Sequence, residues 1–192
     1  MPPRLVVSLS VAAVAALGVG VWLWSGRAEP RPAVVRAEPT SALYALVDSR
    51  RLDAAPLTAA EVFTSGTQRL GALSRGEVEE FADCDDVLWG VSAPGCVQAL
   101  RATYTGGSLT GQFVILNLPD GRGADALVAA LRRDGFVRQA TPFDAARSRA
   151  EVRALGHYVT VSWVAGGGDL VPPLIALDGL GRVVQDRVLA AT

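Results

Sequence analysis

Cys84 and Cys96, with eleven residues between them, stand immediately ahead of the clearest strand pair in the chain, and they constrain the fold more than any other stretch. The spacing is neither a redox C-x-x-C nor a zinc ligand pair, and the sequence holds one histidine, His157. A disulfide between them would close a short loop and stabilise the fold by about 3 kcal/mol, mainly by restricting the unfolded chain. Within the loop, Asp85 is placed to cap a short helix carrying Val87, Leu88 and Trp89, which Ser92-Ala93-Pro94-Gly95 would end. Val97–Thr105 and Leu109–Leu118 then alternate as strands around a Gly106-Gly107-Ser108 turn, predicting a β-hairpin.

A helix follows the hairpin. Asp120 is placed to cap it, Ala124, Leu127, Val128 and Leu131 recur on one face, and Gly135 ends it. The pattern then returns. Ala150, Val152 and Ala154 alternate with Glu151 and Arg153, Gly156-His157 forms a turn, and Tyr158–Val164 gives the partner strand. The tail from Leu170 reads as a helix through Leu174, Leu177, Leu180, Val184 and Val188, or as a hairpin about Asp178-Gly179; the helix fits its Ala-rich end better. Two ββα units result. The expected fold class is α+β, a four-stranded antiparallel sheet with helices on one face. Ahead of it, Thr58 and Glu61 fit a capping box for a short helix with Val62 and Phe63.

The amino-terminal part has another character. Leu5–Trp24 holds twenty residues with two serines and no charge, long enough as a helix to span about 30 Å of hydrocarbon. Residues 1–24 are therefore expected to be a transmembrane anchor, with a cleaved signal peptide ending near Gly26-Arg27-Ala28 as the competing reading. Residues 25–56 read as a Pro/Arg-rich linker and lead-in, and residues 57–192 as the α+β domain. Arg4 lies on one side of the apolar run and Arg27, Arg31 and Arg36 on the other, so basic residues alone favour the opposite orientation. The cysteine pair instead suits an oxidising compartment, which places the carboxyl-terminal domain outside the membrane. A formal net charge of −1 excludes nucleic acid as an electrostatic partner.

Short motifs carry a resemblance. They are Asp53-Ala54-Ala55-Pro56-Leu57-Thr58 with Glu61-Val62-Phe63, Asp83-Cys84, Trp89-Gly90, Gly95-Cys96 and Leu100-Arg101-Ala102-Thr103-Tyr104. With these the chain resembles an uncharacterised group of single-pass, membrane-anchored envelope proteins of actinobacteria. The resemblance implies an anchor and an extracytoplasmic domain. That group has no assigned reaction, so the resemblance implies no active site.

No residue pattern specifies catalysis, cofactor binding or a metal. Glu77, Glu79, Glu80, Asp83, Asp85 and Asp86 crowd together without the spacing of a calcium loop. A Ser–His–acid set would need His157 beside Ser148 or Ser162 and beside Asp144 or Asp169, which nothing in the spacing requires. Arg101 is the candidate recognition residue, either an outward charge or a buried pair with one of the corner acids. The expectation is a non-enzymatic binding or accessory domain of the bacterial cell envelope, held by its membrane helix, whose partner is another envelope protein or a wall component. The alternative is a cation-dependent enzyme using the acids of the Glu77–Asp86 run.

Overall fold

A computed structural model describes residues 29–192. The expected membrane span over Leu5–Trp24 lies outside the described residues, and among those described no helix is long and apolar enough to cross a membrane. The domain is α+β, built on one curled, mixed sheet of seven strands. In chain order these are β1 (Val34–Glu38), β2 (Arg69–Leu70), β3 (Leu73–Phe81), β5 (Gln98–Gly106), β6 (Leu109–Asn117), β8 (Ser148–Leu155) and β9 (Tyr158–Ala165). A separate two-stranded ribbon pairs β4 (Leu88–Trp89) with β7 (Phe136–Val137). The helices are α1 (Ala59–Val62), α2 (Gly121–Arg133), α3 (Val171–Asp178) and α4 (Arg182–Ala190), with short 3₁₀ turns between elements. Across the main sheet the order is β1-β8-β9-β6-β5-β3-β2; β1 runs parallel to β8 and every other pair is antiparallel.

The two hairpins lie where the sequence puts them. β5 and β6 pair in register from Gln98↔Asn117 to Gly106↔Leu109, and β8 and β9 from Ser148↔Ala165 to Leu155↔Tyr158. Their turns are two residues long, with Gly107 and Gly156 at φ of 59° and 61°, a region where a Cβ is strained. Helix α2 begins at Asp120, whose carboxylate accepts the Gly123 N–H at 2.8 Å, and it buries Ala124, Leu127, Val128 and Leu131 as its periodicity predicts. Thr58 and Glu61 make the full capping box of α1. The tail is helical.

The four-stranded antiparallel sheet with helices on one face is corrected by this architecture. Seven strands replace four because two stretches without a hairpin signal join the sheet. One is β1, from the proline-rich linker; the other is the acid-rich β3 with its short companion β2. Helices cover both faces because the central strands are apolar on both. In β6, Val114 and Leu116 enter one core with α2, Trp163 and the disulfide loop, while Phe113 and Ile115 enter the other with Phe63, Leu177 and Val184. Trp163 anchors the first core between the edges of Phe136 and Phe143, at centroid distances of 5.0 and 4.7 Å. Phe63 meets Phe113 edge-on in the second.

Cys84 and Cys96 form the disulfide, and no cysteine of the described residues is free. The loop they close differs from expectation. Asp83, not Asp85, caps a 3₁₀ turn over Cys84–Val87, and Leu88 and Trp89 are extended because β7 pairs with them. Asp85 instead accepts the Ala93 N–H at 2.8 Å, bracing the loop from within. Replacing both cysteines by alanine is expected to lower the unfolding free energy by about 3 kcal/mol in urea titrations. At the β8–β9 turn, a Cβ on Gly156 would also collide with the carbonyl oxygen of Val47. Gly156→Ala is therefore expected to cost about 3 kcal/mol in the same titration.

Candidate functional site

β8 alternates strictly. Ala150, Val152 and Ala154 point into the core under α2, which leaves Arg149, Glu151 and Arg153 on the opposite face. The parallel register sets Arg36 of β1 beside Glu151 and Glu38 beside Arg153, so each cross-strand neighbour has the opposite charge. A one-residue slip would lose both pairs and send Val35 and Ala37 to the wrong face. Helix α3 roofs this row from the other side with Val171, Leu174, Ile175 and Asp178. Between roof and strands lies a groove of about 370 Å³.

Its floor is one ion network. Arg36 meets Glu38 at 2.6 Å and Glu151 at 3.6 Å. The Arg153 guanidinium reaches three carboxylates, Glu151 at 3.1 Å, Asp178 at 3.3 Å and Glu38 at 3.4 Å. Three carboxylates thus share two guanidiniums, while a third, that of Arg149, lines the groove without an ion-pair partner among the described residues. Burial raises the Glu151 carboxyl above its ordinary value, and the neighbouring arginines only partly offset this. Burial likewise raises Asp178, against the pull of Arg153. Burial pulls Arg153 down, but the surrounding acids outweigh it and its affinity for the proton rises. The walls are apolar: Val34 is 47%, Val171 40% and Ile175 65% exposed, large side chains left uncovered beside buried charge.

β1 is also the open margin of the sheet, since no strand among the described residues pairs with its outer side. A second hollow of about 400 Å³ lies on the α2 side of that same strand, lined by Ala37, Pro39, Val128, Ala129, Arg132 and Arg133. The opposite margin is different. Beyond the two residues that pair with β2, β3 carries Glu77, Glu79 and Glu80 and a register shift between Arg75 and Val78, devices that discourage pairing. β1 thus offers strand backbone with a hollow above and another below.

The residues singled out in the sequence fall elsewhere. Arg101 is 9% exposed; it bonds Glu79 on β3 at 2.7 Å and lies over the Phe81 ring at 4.9 Å. The acids of Glu77–Asp86 are dispersed along β3 and the following turn. Among the described residues no three His, Cys, Asp or Glu side chains converge on a metal position. His157 is fully buried, its Nδ1 2.8 Å from the Val47 carbonyl oxygen, and burial lowers its basicity. Ser148 accepts the Trp163 indole N–H at the start of β8, a strand's length from His157. A second polar cluster ties the tail down: Arg187 donates to Asp53 at 2.6 Å and to the Ala55 and Pro56 carbonyls, and the Tyr158 hydroxyl donates to Asp53 at 2.7 Å. Nothing local marks the groove; only the alternation of Glu151 and Arg153 on a wet strand face hinted at it.

Compared with protein-family models, curated proteins and solved structures, the chain matches none of them. The groove chemistry is open to a direct measurement. The folded pKa of Glu151 lies above its unfolded value near 4.5, so the folded state binds more protons than the unfolded one between the two. That contribution to stability is full below the unfolded pKa and is lost as pH rises through the folded pKa. Urea midpoints between about pH 4 and pH 8 should show this loss in the native chain and a shallower one in Glu151→Gln.

Proposed function

We propose that this chain is a membrane-anchored, extracytoplasmic binding domain of a bacterial cell envelope that makes and breaks no covalent bond, and that it holds an extended segment of a partner polypeptide along β1. The observation that carries the reading is the unpaired β1 edge with a hollow on each side. An added strand supplies main-chain hydrogen bonds, and its side chains alternate above and below the sheet plane. One set enters the groove under α3, where Val34, Val171 and Ile175 suit an apolar residue and the charged floor of Glu151, Arg153 and unpaired Arg149 suits a polar one. The other set enters the shallower hollow beside Val128 and Ala129. The anchor rests on the uncharged run Leu5–Trp24, and the compartment on the Cys84–Cys96 disulfide, which suits an oxidising space.

A photo-crosslinking amino acid placed at Ala37, at Ile175 or, as control, at exposed Leu189 of the full chain in its own membranes tests the reading. Positions 37 and 175 should give one adduct in common, with crosslinks on alternate residues of one peptide, and position 189 should not. Filling the two hollows with Ala129→Glu and Ile175→Trp should weaken that adduct about tenfold or more. No shared adduct, or one of twice the chain's own mass, overturns the reading.

A further inference from the structure

The described chain enters the fold at one end of the sheet, and unpaired positive charge gathers at that end. Glu29 pairs with Arg138, and Arg31 donates to the last carbonyls of α2, those of Leu131, Arg132 and Arg133, before β1 begins. Around this point Arg132, Arg147 and Arg149 are exposed and have no ion-pair partner among the described residues. Arg133 has only a 3.8 Å contact to Asp134. Two acids of this end are engaged locally, Asp144 by the Ala146 N–H and Asp169 by the Val171 N–H. Val34 and Val171 are exposed beside them. At the opposite end of the strands Asp48, Asp120 and Asp125 stand around the start of α2 and offset Arg50, Arg51 and Arg122, so no net positive charge gathers there.

We propose that this basic end docks on the anionic lipid surface of the bilayer that holds the anchor, so that the strands run away from the membrane and the β1 edge stands upright on it. The inference rests on the anchor reading above. From Trp24, the last residue of the apolar run, to Glu29 the chain spans at most about 18 Å even when fully extended. The arginines are therefore held within roughly two Debye lengths of the headgroups, and their encounter with lipid is intramolecular. Guanidiniums without protein partners suit phosphate, which they bind in a bidentate fork.

Full-length protein in nanodiscs of phosphatidylcholine alone, or with about a third phosphatidylglycerol, provides the test by amide hydrogen exchange. Residues 138–149 and 166–171 should exchange about fivefold more slowly in the anionic discs, the effect of one arginine near a charged surface. The protection should vanish in high salt and in Arg147→Glu/Arg149→Glu. Equal exchange in the two lipids overturns the docking. An alkaline carbonate wash separates the failures: protein that resists the wash yet exchanges equally has an anchor without docking, whereas protein that washes off has neither.

Discussion

β9 is buried along its whole length, and β6, beside it, from Gly111 onward. Two adjacent strands with no wet face must be covered from both sides, because an exposed second face would leave Phe113, Ile115 and Val164 in water. The rest of the chain answers that demand. Helix α2 and the disulfide loop close one side; α1, α3, α4 and the lead-in around Val47 and Leu57 close the other. The three-layer arrangement follows from the composition of two central strands, not from any one helix.

That demand also explains why the edges are polar. Moving outward from β9, alternate residues on the α3 side become Glu151 and Arg153 and then Arg36 and Glu38, while the α2 side remains apolar through Val152 to Ala37. The helix roof narrows over these charges without covering them, so the acids are half-desolvated. A buried ion set contributes little to net stability unless all its members are paired. In the groove Arg153 alone meets three carboxylates and Arg149 meets none, so the charges are engaged unevenly. The Arg187–Asp53–Tyr158 cluster shows the contrast. There both Asp53 oxygens and the guanidinium are engaged by the protein, and the result fastens the tail to the lead-in.

The local parts of the fold were legible in the sequence. Hairpin turns, the α2 face, the capping box and the disulfide each depend on residues within about a dozen positions of one another, where side-chain period and turn chemistry act directly. Parts that depend on distant partners were not. Val34–Glu38 is five residues between prolines, its alternation of Val35 and Ala37 with Arg36 and Glu38 too short to stand out in a linker, and only β8, more than a hundred positions later, makes it a strand. β3 reads as an acidic surface because its edge is meant to stay unpaired. Arg101 illustrates the same boundary: its type suggested recognition, but its register opposite Glu79 decides what it touches. The groove draws on β1, β8 and α3, and its chemistry emerges only once a parallel crossover has joined them.

Because β1 lies parallel to β8 and is the first strand after the amino-terminal segment, any pull transmitted from that side runs along the strand axis. Such a load is shared by the whole β1–β8 ladder at once, as in shear, and does not open it bond by bond like a zipper. The Glu29–Arg138 pair, and then Arg31 clamped to three carbonyls at the foot of α2, would take the strain first. The domain gains mechanical resistance to such a load from this one choice of strand direction.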